Sequence, residues 1–340
     1  MEFYKKGVIG LYGPKGKGLL RCGAACLLAL FLCAAGPVKA AQSSRMLVPV
    51  GHTVGIKLFA RGVVVVKLSD GGTPAREGGL RTGDVIIQCN GAAVTSAEQF
   101  QGLLQESRGA ADLQVCRSGD NMTLSVEPEP NEQGVYCIGA WIRDSMAGIG
   151  TMTYYDPESG EFGALGHGIT DVDTALLMPF SNGSILPSTV KAVKKGEVGS
   201  AGELRGNFDL TCQLGELHAN TSSGIFGAME PAASLGEAVP VGMAEVGPAT
   251  IRSNVQGDEI TEFHVEILKV SENAADGRNL VLSVTDPALI AATGGIVQGM
   301  SGSPVLQDGK LVGAVTHVLL SDPTKGYGIL INHMLEASGS

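Results

Sequence analysis

Ser301 sits in Gly294-Gly295-Ile296-Val297-Gln298-Gly299-Met300-Ser301-Gly302-Ser303-Pro304, a serine held between glycines on a turn. Glycine reaches backbone conformations closed to other residues. It also leaves the amides of Gly299 and Ser301 bare, so that both can point at a developing oxyanion. Such a turn suits nucleophilic attack on an acyl group. That chemistry needs a base within reach of the hydroxyl and a carboxylate to hold the imidazole in its useful tautomer. Six histidines are available, and His167 stands out: in Gly163-Ala164-Leu165-Gly166-His167-Gly168-Ile169-Thr170-Asp171 it has glycines on both sides after a short apolar strand. His317, beside Thr316, is the reserve candidate for a catalytic or substrate-lining place. Asp209 and Asp286 are the candidate carboxylates, and Ser303 is a second hydroxyl on the same turn.

The elements around Ser301 must hold it still. Pro304-Val305-Leu306 reads as a short strand, Asp308-Gly309 as a two-residue hairpin turn, and Leu311-Val312-Gly313-Ala314-Val315-Thr316 as the return strand. The tail from Asn332 to Ala337 is a candidate helix. This order resembles trypsin-like enzymes, in which the return strand lines the specificity pocket. By their spacing Asp209 is the better partner for His167, and chemistry alone does not choose between the two aspartates. The residues around Ser301 also match the Gly-x-Ser-x-Gly elbow of α/β-hydrolases. That elbow needs a helix directly after the serine, which Pro304 and the hairpin forbid.

A chain of 340 residues has room for about two domains. Its 49 glycines, scarce aromatics and many Val/Ile/Leu runs favour β structure rich in turns, with no long helical pattern before the tail. A net charge of −10 without a basic block argues against nucleic acid as a partner. Cys89, Cys116, Cys137 and Cys212 have neither metal spacing nor a disulfide framework and read as thiols. The chemistry calls for no metal and no organic cofactor.

Lysines and Arg21 precede an apolar run from Cys22 to Gly36, and Val38-Lys39-Ala40 has the small-residue spacing of a signal-peptidase site. The run is about 15 residues, nearer a signal h-region than a span of about 20. Residues 1–45 therefore read as a signal peptide or membrane anchor, with the body of the protein extracytoplasmic. Glu127-Pro128-Glu129-Pro130-Asn131 has the composition of a linker.

Gly71-Gly72-Thr73-Pro74-Ala75, followed by Gly79-Leu80-Arg81-Thr82-Gly83-Asp84-Val85-Ile86-Ile87-Gln88-Cys89-Asn90-Gly91, resembles a PDZ domain, placed here at residues 46–128. The resemblance implies that an extended peptide adds beside Val54-Gly55-Ile56-Lys57-Leu58, facing a helix that starts near Ser96.

The His167 segment, Val284-Thr285-Asp286-Pro287, the Ser301 turn, Gly313-Ala314-Val315-Thr316-His317 and Asp322-Pro323-Thr324-Lys325-Gly326-Tyr327-Gly328 together resemble the SpoIVB peptidase family. The implied architecture is mostly β: an N-terminal signal or anchor, a PDZ domain, then a chymotrypsin-like double β-barrel serine peptidase at residues 129–340. The family's triad falls on His167, Asp286 and Ser301, with Gly299 and Ser301 forming the oxyanion hole. The implied role is a sporulation protease in the forespore intermembrane space, which cleaves itself and a membrane-bound regulator and so triggers processing of a late mother-cell sigma factor precursor. A catalytically dead PDZ adaptor and a general extracytoplasmic quality-control protease are the alternatives.

Overall fold

The computed structural model describes residues 45–107, 109–230, 235–274 and 277–339, so the N-terminal apolar segment lies outside it. In chain order the strands are β1 (Met46–Pro49), β2 (Thr53–Leu68), β3 (Val85–Cys89), β4 (Ala92–Ala93), β5 (Ala111–Arg117), β6 (Asp120–Val126), β7 (Glu129–Pro130), β8 (Tyr136–Cys137) and β9 (Ala140–Tyr155). Then come β10 (Glu161–Ala164), β11 (Phe180–Lys194), β12 (Glu203–Phe208), β13 (Gly215–Thr221), β14 (Gly224–Met229), β15 (Val239–Pro240) and β16 (Gly247–Gln256). The last are β17 (Glu259–Val270), β18 (Leu280–Val284), β19 (Pro304–Gln307), β20 (Lys310–Val318) and β21 (Lys325–Leu330). The helices are α1 (Pro74–Glu77), α2 (Ala97–Ser107), α3 (Pro287–Thr293) and α4 (Ile331–Ser338). Among these described residues no helix is long and apolar enough to cross a membrane.

Two closed barrels result. In the first, β9, β10, β14, β13, β11 and β2 follow one another, and the pairing of β2 with β9 closes the ring. The second closes in the order β16, β17, β18, β21, β20, β19. Its strands obey the period-two rule: Phe263, Val265 and Ile267 of β17 point into the core while His264 and Glu266 face out. The β19–β20 hairpin turns at Asp308 and Gly309, whose φ angles of 50° and 71° make the primed turn that matches strand twist. Val305, Leu311, Val312, Ala314 and Val315 of that hairpin are buried. At about 1.5–3 kcal/mol for each of the larger aliphatic side chains, the hairpin that follows Ser301 is held by the core as well as by its turn.

The PDZ-like part does not precede the barrels as a separate block. It lies between the two halves of β2 and β9. Thr53–Phe59 pairs with Ser145–Thr151 inside the first barrel, and Val64–Leu68 pairs with Ala140–Arg143 beside β3. Three extra residues bulge out of β2 between those halves, around Gly62 at φ 98°. Helix α2 begins where the sequence places it and buries Phe100 and Leu104, one turn apart, against Val63, Ile86 and Leu113. Met46–Ala60 thus belongs to the barrel sheets by pairing, although it precedes the PDZ-like residues in sequence.

Candidate active site

The Ser301 turn lies between the barrels and is tied to both. From the first barrel, Thr151 N–H donates to Ser301 O at 2.9 Å, and Thr151 Oγ1 donates to Gly299 O at 2.7 Å. From the second, Gly302 N–H donates to Val315 O at 2.8 Å. The neighbouring amides alternate in use. Gln298, Met300, Gly302 and Ser303 each donate to a backbone carbonyl, while those of Gly299 and Ser301 donate to no acceptor among the described residues. Two unspent donors two residues apart, on a turn set by Gly299 at φ 98°, can converge on one oxygen that carries negative charge. The hydroxyl of Ser301 donates to Thr316 O at 2.6 Å. Ser303, the other hydroxyl of the turn, is fully buried, and its Oγ has no hydrogen-bond partner among the described residues. Ser303→Ala removes an unsatisfied buried polar group, so it is expected to leave activity intact and to raise stability by up to about 1 kcal/mol, read as a urea midpoint shift.

His167 follows β10 on a turn whose backbone is left-handed at both Leu165 and Gly166, each at φ 69°. A leucine there is strained and is held by its surroundings. At Gly166 an added Cβ would meet Thr316 Cγ2 and Ile329 Cγ2 at 2.9 Å, so only glycine lets the turn press against β20 and β21. The His167 ring stands 4.9 Å from the exposed His317 ring, tilted by 36°. Its Nδ1 lies 2.9 Å from Gly168 O. A carbonyl only accepts, so Nδ1 carries the proton and, in the neutral ring, Nε2 is left as the acceptor. Burial pushes the imidazole below its ordinary pKa of 6.5, and the bond to Gly168 O offsets this only in part.

Both candidate carboxylates lie elsewhere. Asp286 is the N-cap of α3: one oxygen accepts from Ala288 N–H at 2.8 Å and Leu289 N–H at 3.3 Å, the other from His264 N–H at 3.2 Å. Burial raises its pKa, but the His264, Leu289 and Ala288 amides outweigh that and hold the carboxyl below 3.8. Asp209 is exposed and accepts from Thr211 N–H at 2.8 Å and Thr211 Oγ1 at 2.6 Å. Neither lines the cleft that holds His167 and Ser301. Asp286→Ala is therefore expected to cost about 1–2 kcal/mol of stability through the lost cap. It should change kcat by less than about tenfold, whereas loss of a triad aspartate costs about 10⁴-fold. Thermal unfolding and steady-state kinetics of the one variant separate the two roles.

The cleft has a volume of about 440 Å³. Gly299, Ser301, His167, His317 and Thr316 share it with Ile149, Leu165, Ile169, Ile296, Val297 and Leu320. No Asp, Glu, Lys or Arg lines it among the described residues. Thr316 is buried, and its hydroxyl has no hydrogen-bond partner among the described residues.

The expected peptide strand, Val54–Leu58, is corrected by the sheet. It pairs with Gly150–Met146 on one side and with Pro187–Gly183 on the other, so neither edge is free to receive a peptide. The place beside Val64–Leu68 is taken by Ala140–Arg143, whose other edge faces α2. The missed signal was Ile138-Gly139-Ala140, a glycine at φ 71° entering a strand next to the linker.

Against known families, residues 134–335 match the SpoIVB peptidase S55 model, which is more than half of the chain. The chain belongs to the SpoIVB peptidase S55 family. A PDZ domain model matches residues 65–117. A Clostridium perfringens protein named as a zinc metalloprotease, CPE1693, is 31% identical over 68 residues, which are 20% of each chain. The chain thus spans a fifth of the length of the curated relative it matches. Among solved structures, the active form of the Rv3671c protease from M. tuberculosis is 13% identical, with 57% of this chain and 75% of that one covered at a TM-score of 0.32. Its inactive form is 14% identical, with 56% and 85% covered at 0.31. The PDZ domain of an SdrC-like protein from Listeria monocytogenes is 20% identical, with 24% and 87% covered at 0.22. In this S55 chain, the family match spans His167, Asp286 and Ser301.

Proposed function

We propose that the chain is a serine endopeptidase in which Ser301 is the nucleophile and His167 its general base, working on protein substrates at the cleft between the barrels. The observation that carries this is their presence in one cleft with the two unspent amides of Gly299 and Ser301. Ser301 Oγ attacks the scissile carbonyl carbon while its proton passes to Nε2 of His167. The carbonyl oxygen becomes an oxyanion held by Gly299 and Ser301 N–H, each worth about 3–4 kcal/mol when well aimed. The C–N bond then breaks as His167 returns the proton to the leaving amine, and water releases the acyl group by the same steps in reverse. Gly168 O takes the orienting place that Asp286 does not fill: it holds the Nδ1 proton and strengthens its bond as the ring becomes charged. At rest the Ser301 hydroxyl faces Thr316 O, and a substrate N–H that takes this carbonyl turns the hydroxyl toward the base.

The kinship with SpoIVB peptidases supports a narrower reading. The chain would act outside the cytoplasm, exported across or anchored in the forespore membrane. There it would cleave itself and a membrane-embedded regulator to start sigma factor processing in sporulation, with the PDZ domain binding a peptide. Incubating the full-length protein beside Ser301→Ala and weighing the fragments tests it. Defined trimming in the wild type alone supports it, and identical trimming in both contradicts the assignment of Ser301.

His167 must be neutral to accept a proton. Because its pKa lies below 6.5, the acidic limb of a kcat/KM profile is expected below pH 6.5, with activity rising as pH rises through it. A limb above 6.5 would mean that a carboxylate, not a carbonyl, orients the ring.

A further inference from the structure

Strand β9 has different neighbours along one of its edges. Met152–Tyr155 pair with β10 on that side, whereas Ala140–Arg143 and Ser145–Ile149 pair only with β2 on the other, with Asp144 at the bulge between them. Their outer edge is open among the described residues. One end of it, Met146, Ala147, Gly148 and Ile149, lines the cleft with His167 and Ser301. The other end runs beside α2, where the Asp144 carboxylate accepts from Ala97 N–H at 2.8 Å. It stops at the Ile138–Gly139 turn. The carbonyls of those two residues are taken by Ala75 and Ser69 N–H, but their own amides donate to no acceptor among the described residues. Successive free amides at a turn with positive φ form a concavity for a carboxylate.

We propose that this continuous edge measures the substrate. Resting on the serine-peptidase reading above, the inference is that a polypeptide with a free C-terminal carboxylate anchors at Ile138–Gly139. It then pairs antiparallel along β9 and presents the bond to be cut at Ser301. One peptide residue lies opposite each strand residue, so the cut falls about ten residues from the C terminus, the length from Ala140 to Ile149. The apolar, uncharged cleft favours an uncharged apolar side chain at the cut. Such a ruler selects chain ends, either native C termini or those left by an earlier cleavage, over internal loops of a folded protein.

The test uses the full-length protein and synthetic peptides in which one apolar pair is moved stepwise from about four to about twenty residues from the C terminus in a small, polar background. Each peptide is made with a free carboxylate and as the amide. The expected result is a kcat/KM maximum near ten residues, at least about tenfold above either end of the series, which amidation flattens. Ser301-dependent cleavage that is indifferent to position and to amidation overturns the ruler and leaves the peptidase standing. A maximum that survives amidation overturns the carboxylate anchor. No Ser301-dependent cleavage at any position overturns both.

Discussion

Ser301→Ala is expected to lower kcat/KM by about 10⁶-fold, the scale on which removing a serine nucleophile acts. What remains would come from the oxyanion hole and binding alone, because Gly299 and Ser301 amides and the cleft walls do not depend on the hydroxyl. The fold should be nearly indifferent. Among the described residues the hydroxyl has one partner, Thr316 O, which opens onto the cleft, so its loss costs about 1 kcal/mol or less. Steady-state kinetics on one peptide, with urea unfolding of the same preparations, separates this outcome from a general loss of structure. Activity within about tenfold of the wild type would remove Ser301 from the mechanism.

Gly302→Ala is expected to break both the site and the packing of the barrels against each other. Gly302 has φ 98°, and a Cβ there would stand 2.0 Å from Thr151 O and 2.6 Å from Leu165 N. Both are backbone atoms and cannot swing aside. They are also joined, since Leu165 N–H donates to Thr151 O at 3.1 Å and Thr151 N–H to Ser301 O. A methyl group here pushes β9, the His167 turn and the Ser301 turn apart together. The cost should be about 3 kcal/mol or more, from positive φ and overpacking combined. A displacement near 1 Å between nucleophile and base should also lower kcat by about 100-fold or more. Gly309→Ala is the control. It too has positive φ, but nothing lies within 4 Å, so only about 1–2 kcal/mol of backbone strain is expected and activity should persist.

The shape of the Ser301 region was legible because its signals are local. Asp308-Gly309 between two apolar runs spells a primed hairpin, and glycines on both sides of Ser301 mark a tight turn. The role of Asp286 was not legible. An aspartate before Pro287 reads equally as a triad carboxylate and as the N-cap of a short helix that ends at Gly294, and in the structure its oxygens accept from the amides of α3 and of His264. At seven residues, α3 is too short to show periodicity. The peptide edge was misplaced for a different reason. Val54–Leu58 reads as a strand and is one, but its partners Met146–Gly150 and Gly183–Pro187 come from far along the chain. No local pattern reports that both edges are taken.

The most direct test of the central claim is a covalent one. Incubating the full-length protein with a fluorophosphonate and mapping the adduct by peptide mass spectrometry should place a single modification on Ser301. The adduct should be absent from Ser301→Ala, and its rate should rise with pH as neutral His167 forms. A modification on another residue, or none at a concentration that labels an active serine peptidase run in parallel, would contradict a Ser301–His167 nucleophile at this cleft.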